Sequence, residues 1–149
     1  MPPPPYYFED VEVGFRFKSA SRTVSEADVL DFAGLTGDSN PLHVDAEYAA
    51  ASLYGQRVAH GSLVLSFAVA LRQQAGLFDG TLLGLLEVRS WRFLGPVFIG
   101  DTISVETEVT GLRETSRPDR GVMTQRLRVL NQHADVVSEG ELVALLARR

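Results

Sequence analysis

The sequence predicts an α+β protein, in which one strand and a group of helices precede four strands in succession. Three observations carry that prediction. The stretch "HGSLVLSFAVALRQQAG" (60–76) is a long helical candidate that is apolar on nearly every face from Leu63 to Leu71. From about residue 81 the period shifts from helical spacing to alternation rich in Val, Thr and Ile. The length, 149 residues with 45% hydrophobic side chains, suits one domain with a single core. A helix this apolar must be covered on most sides, so an antiparallel sheet is expected to curl around it.

Taken in order, residues 1–8 ("MPPPPYYF") are a Pro-rich arm expected to be extended, and residues 9–149 form the domain. "VGFRFKSASRTV" (13–24) partly alternates and reads as a strand. In "SEAD" (25–28), Ser25 can cap a helix and Asp28 can answer it from the third helical position. Val29, Leu30, Phe32, Ala33 and Leu35 follow as one apolar stripe, and Gly37 can stop the helix. Asp45 can cap a short helix over 46–52. The long helix over 60–76 has Ser62 as a candidate cap and closes at Gly76. The strands are expected at 82–95, 101–112, 121–132 and 134–147, with "RETSRPDRG" (113–121) as a polar connection.

Composition removes several function classes. The formal charge is −5, the wrong sign for a nucleic-acid partner. There is no cysteine, which excludes disulfides, thiolate catalysis and Cys-based metal sites. The three histidines, His43, His60 and His133, lack the i, i+4 spacing of a helical metal pair, and no metal is expected. The longest apolar stretch, "SLVLSFAVAL" (62–71), is too short to span a bilayer. The start of the chain has neither a basic nor an apolar leader segment, so a cytoplasmic protein is expected. His133 lies in a polar turn without an assigned role. Arg57, Arg72, Arg89, Arg92, Arg113, Arg117 and Arg120 are expected to be mostly solvated. There is no Gly-rich phosphate loop, no G-x-S-x-G elbow and no H-E-x-x-H.

Two stretches hold residues capable of chemistry. In "GDSNPLH" (37–43), one reading is a helix-to-helix loop, with Asp38 and Asn40 making Asx turns and Pro41 stiffening the exit. The other is a stiff loop that presents a carboxylate, Asp38, and an imidazole, His43, to one small pocket, where they can move protons or hold a water. In "AHGSL" (59–63), one reading is a helix start with His60 as a satisfied polar side chain. The other uses Gly61, whose lack of a side chain lets a ligand approach the free N–H groups of a helix N-terminus and place an oxyanion there.

Together, "FAGLTGDSNPLHVDAEYAAASLYGQRVAHG" (32–61) and "FLGPVFIGDTISVETEV" (93–109) resemble the MaoC-like dehydratases, which include the (R)-specific enoyl-CoA hydratases. The resemblance runs from about residue 8 to 147 and is most specific where G-D-x-N-P-L-H precedes A-H-G. It implies a single hotdog domain, an antiparallel β-sheet wrapped around a long central α-helix, here 62–76. It implies that Asp38 and His43 are the catalytic pair, that Asn40 supports the loop, and that the Gly61 N–H sits in the oxyanion hole. His60 and Ser62 belong to the same region as candidate binding or supporting residues. The implied substrate is an acyl thioester of coenzyme A or a carrier protein, with no further cofactor, in a homodimer or higher oligomer. The implied reaction interconverts trans-2-enoyl-CoA and (R)-3-hydroxyacyl-CoA. A hotdog thioesterase and a non-catalytic acyl-binding subunit of a dehydratase heterodimer are the competing readings. The first generally lacks the D-x-N-P-x-H pattern and the second typically loses the acid–base pair.

Overall fold

Four long strands account for most of the backbone pairing in the computed structural model, which describes residues 1–149. They are β3 (Leu82–Phe93), β4 (Thr102–Glu114), β5 (Arg120–Leu130) and β6 (Val136–Ala147). With the short β1 (Arg16–Lys18) they form an antiparallel sheet in the order β1-β4-β5-β6-β3, and β2 (Arg22–Thr23) also pairs with β4. The helices are α1 (Glu26–Thr36), α2 (Pro41–Val44), α3 (Ala46–Ala50) and α4 (Gly61–Gln74).

Alternation decides which side of the sheet meets α4. Ile103, Val105, Leu127, Val129 and Leu142 point inward and pack with Leu63, Val64, Ala68 and Leu71 of the helix in the main core cluster. A second cluster, built from Tyr6, Val11, Phe78, Val109, Met123 and Leu146, closes the far end. Tyr6 is buried there and its N–H donates to Leu77 O at 2.7 Å, so the Pro-rich arm is tied to the body. Between these clusters Arg72, only 3% exposed, donates from Nη1 to Gln125 Oε1 at 2.6 Å. Burial pushes the Arg72 guanidinium below its ordinary range. The expectation of a solvated side chain fails for Arg72.

The opposite face of the sheet carries two cross-strand rows of charge that alternate in sign. Lys18, Glu106, Arg128, Glu139 and Arg92 are successive cross-strand neighbours, and so are Arg16, Glu108, Arg126, Glu141 and Arg89. Ion pairs join Arg16 to Glu108 at 3.2 Å and Arg128 to Glu106 at 3.6 Å.

The local signals for α1 hold. Ser25 Oγ accepts from the Asp28 N–H and Asp28 accepts from the Ser25 N–H, the reciprocal capping box. Gly37 ends the helix at φ +81°, a conformation that needs glycine. Of its apolar stripe, Val29 and Ala33 are buried, whereas Leu30 and Leu35 are exposed. Other elements differ from expectation. The strand read over 13–24 is interrupted, because Ser19 turns its hydroxyl onto the Val105 N–H at 2.8 Å. Ser62 does not cap α4. His60 occupies the cap position without a side-chain capping bond, and Ser62 lies inside the first turn. No helix is long and apolar enough to cross a membrane.

Candidate active site

The loop between α1 and α2 is shaped by its own side chains. Asp38 Oδ1 accepts from the Asn40 N–H at 3.4 Å, and Asn40 Oδ1 accepts from the Leu42 N–H at 3.0 Å. Asn40 thereby caps α2, whose first residue is Pro41, a position where the missing N–H costs nothing. One turn later His43 faces inward. α2 itself was not anticipated, because four residues give too short a period to read.

His43 is fixed by the segment that precedes α4. Its Nδ1 lies 2.7 Å from Val58 O. A carbonyl oxygen can only accept, so Nδ1 carries the hydrogen and Nε2 of the neutral ring keeps its lone pair. The Val58 N–H donates back to Leu42 O at 3.1 Å. His60 is fixed in a similar way: Nε2 donates to the backbone oxygen of Asp38 at 2.8 Å. The His60 ring is 1% exposed and stacks on His43 with centroids 3.8 Å apart, while Phe32 meets its other side at 4.9 Å. His60 thus ties the Asp38 loop to the start of α4. Its Nδ1 is buried without a partner.

These bonds gather the residues expected to act together. One carboxylate oxygen of Asp38 and one ring nitrogen each of His43 and His60 lie within 4.8 Å of one another. Two imidazoles and a carboxylate are also a possible zinc donor set. Rings stacked 3.8 Å apart and inclined by only 27°, however, cannot both aim an in-plane lone pair at one ion at bonding distance. His133 lies in the turn between β5 and β6, outside this group.

Beside the trio opens a cavity of about 660 Å³, lined in part by His43, Tyr54, Gly61, Ser62, Val64, Phe93, Pro96 and Val137. Most of its lining residues are apolar. The first intrahelical bond of α4 runs from the Val64 N–H to His60 O, so the N–H groups of Gly61, Ser62 and Leu63 are left without helical partners. Phe93 leans over Gly61: a Cβ there would lie 2.8 Å from the ring. Asp38 is exposed, whereas His43 is partly and His60 fully buried, and of the three only His43 lines the cavity itself. Phe93, Leu94, Gly95, Pro96 and Val97 complete the cavity wall, and no reactive side chain in "FLGPV" marks that segment as part of a site.

Comparison with known proteins agrees with this geometry. The family model described as "MaoC like domain" matches residues 11–132. An (R)-specific enoyl-CoA hydratase of Rhodospirillum rubrum is 36% identical over 148 residues, covering 97% of this chain and 94% of the relative. Among solved structures, a protein from Archaeoglobus fulgius titled monoamine oxidase regulatory protein superposes with a TM-score of 0.91 at 36% identity, over 97% and 96% of the two chains. A Mycobacterium tuberculosis protein described as having a double hotdog fold superposes at a TM-score of 0.86 and 26% identity, over 97% of this chain and 44% of that one. With its sheet wrapped on one long helix and its matched loop, this chain is a hotdog domain and belongs to the MaoC-like family.

Proposed function

We propose that the protein adds water to trans-2-enoyl thioesters, and removes it from (R)-3-hydroxyacyl thioesters, with Asp38 and His43 moving the protons. The observation that carries this reading is the meeting of Asp38 and His43 within 4.8 Å beside an apolar cavity that also opens onto the free N–H groups of α4. The (R) outcome and the coenzyme A thioester follow the relative named an (R)-specific enoyl-CoA hydratase.

The chemistry needs few groups. As the water oxygen bonds to C3, one proton leaves it and one proton arrives at C2. Between those events the thioester oxygen carries negative charge. Nε2 of His43, its lone pair kept free by the Nδ1 bond to Val58 O, suits the first transfer together with the Asp38 carboxylate. The Gly61 N–H, at a helix N-terminus, suits the developing charge. Taking and returning a proton leaves the pair unchanged after each turnover, and no further cofactor takes part in this scheme.

The working unit of the proposal is a homodimer. β3 is an edge strand, and Leu83, Leu85, Leu86, Val88, Phe93 and Leu94 are all exposed along or just beyond it. A long apolar edge of this kind is a surface for pairing with another chain. A second copy there would also shield the cavity rim beside Phe93. Sedimentation showing an active monomer at micromolar concentration would refute the dimer.

The test of activity uses crotonyl-CoA and follows the enoyl-thioester absorbance together with free thiol. Loss of absorbance without thiol is hydration, and chiral analysis of the product checks the (R) form. Thiol release would indicate a thioesterase. No change across enoyl-CoAs of different length would point to an acyl-binding subunit.

A further inference from the structure

We propose that Arg57 is a positioning residue for the acid–base pair, an inference that rests on the function proposed above. Against the expectation of a solvated side chain, Arg57 is only 13% exposed at its side chain. Its Nε donates to the backbone oxygen of His43 at 2.8 Å, and its Nη1 donates to Glu26 Oε1 at 2.8 Å. The neighbouring residue, Val58, supplies the carbonyl that receives His43 Nδ1–H and the N–H that meets Leu42 O. Residues 57 and 58 therefore hold His43 at its backbone oxygen, at the carbonyl before it and at its ring.

The connection to Glu26 extends the hold to Asp38. Glu26 is the first residue of α1, and α1 runs into Gly37 and Asp38. The guanidinium thus closes a ring of covalent chain and hydrogen bonds that starts at Glu26, passes along α1 through Asp38, and returns at His43. Both reacting side chains lie within that closed segment, so their separation is set by a brace from outside it. A planar guanidinium offers donors in two directions at fixed angles, whereas the single ammonium of lysine does not span both acceptors in the same way. Arg57 Nη2 is buried without a partner. Burying an unsatisfied donor on a charged group is unfavourable, which is hard to explain if the side chain merely decorates the surface.

The test compares the wild-type protein with Arg57→Met, Arg57→Lys and Glu26→Gln. Arg57→Met and His43→Gln are also combined. Crotonyl-CoA kinetics are read beside thermal unfolding and the 15N spectrum of the His43 ring. Small displacements of reacting groups cost up to about a hundredfold, so Arg57→Met is expected to lower kcat by about ten- to a hundredfold with KM within about threefold. Arg57→Lys should recover part of the loss, and Glu26→Gln, which keeps an acceptor on an exposed side chain, should reduce kcat by less than Arg57→Met. In the His43→Gln background Arg57→Met should cost no more than about twofold, because the residues act as one unit. The His43 spectrum should show one fixed Nδ1–H tautomer in the wild type and a mixture in Arg57→Met. Equal loss in both backgrounds, or an unchanged His43 spectrum in folded Arg57→Met, would overturn the proposal. If Arg57→Met does not fold, Arg57→Lys and Glu26→Gln decide by the same readouts. A wild type without hydratase activity would refute the function proposed above, while the ring spectrum would still decide the role of Arg57.

Discussion

The two ends of α4 present opposite solutions to ending a buried helix. At its N-terminus the helix leaves three N–H groups without helical partners, two of them on cavity-lining residues, with a glycine at the first position and a stacked histidine pair beside it. At its C-terminus the chain closes on itself: Ala75 and Gly76 donate to Arg72 O and Gln73 O, and Phe78 enters the second core cluster. One helix therefore has an open end, the proposed reactive one, where polar backbone is left available, and a structural end, where it is consumed. The difference teaches that the site owes its free donors to the helix being pinned elsewhere. Packing along Leu63, Val64, Ala68 and Leu71 holds α4, so its first turn can remain open.

The sharpest way to break this contrast is at the reactive end. Asp38→Asn and His43→Gln should each reduce hydration by at least about a hundredfold, acting on turnover more than on binding, with melting temperature nearly unchanged. The double variant should lose far less than the product of the two. Folded single variants that keep more than about a tenth of wild-type turnover would show that the loop has no acid–base role.

At the structural end the opposite pattern is expected. Met123, fully buried in the second cluster and not part of the cavity wall, should destabilise the fold by about 2–5 kcal/mol when changed to Ala. KM and kcat of the remaining folded protein should not move. Urea unfolding beside kinetics checks this, and a changed KM would mean that the two ends are coupled.

Gly61→Val separates steric exclusion from simple packing. The new side chain meets the Phe93 ring, a side chain and not backbone, so the fold should survive a local shift of that ring. Turnover should fall by about tenfold or more because the approach to the helix N-terminus is filled. Adding Phe93→Ala removes the clash. Recovery of activity in that double variant would assign the effect to the ring and not to the blocked donors.

The smallest effect concerns α1, which carries the loop. Asp28 is partly buried, which opposes its ionisation, but the Ser25 N–H and Arg22 outweigh that and hold its carboxyl below the ordinary range. The charged form is thus favoured by folding. Its contribution is complete above the unfolded value near 3.8 and disappears as pH falls through the lower folded value. Asp28→Asn should cost about 1 kcal/mol at neutral pH and progressively less in acid. Thermal melts of both proteins across pH 2–7 would show the two curves converging.

What could be read from the sequence was what depends on neighbours along the chain. The Ser25–Asp28 box, the stop at Gly37 and the Asx turns at Asp38 and Asn40 each involve residues two to four apart, and the structure bears them out. That Asp38 and His43 can face one pocket was legible in the stiff loop between them, whereas the approach of Gly61 to His43 was legible only through the family resemblance, since closing the gap from 43 to 61 depends on tertiary bonds. The brace from Arg57 had no local signal. Its partners lie 14 and 31 residues away, and an arginine after Gly55-Gln56 reads as an ordinary turn residue. The exposure of Leu30 and Leu35 was hidden for a related reason: an apolar stripe tells that a face is sticky, not what covers it.

The charged face of the sheet has a consequence for folding itself. Within its two rows, β1, β5 and the Arg89–Arg92 end of β3 contribute positive groups and β4 and β6 negative ones, so every neighbouring pair in those rows is of opposite sign. Exposed cross-strand pairs contribute only about 0.2–1 kcal/mol each, too little to hold the sheet together. Their value lies in a parity rule. A misfolded sheet that set Glu106 and Glu108 of β4 against Glu139 and Glu141 of β6, or Arg16 and Lys18 of β1 against Arg126 and Arg128 of β5, would bring like charges together at those positions. The apolar face rewards any strand that alternates correctly; the charged pairs add a small preference for the right neighbour. The surface thus acts as a check on strand identity, independent of the core and of the chemistry at the other end of the helix.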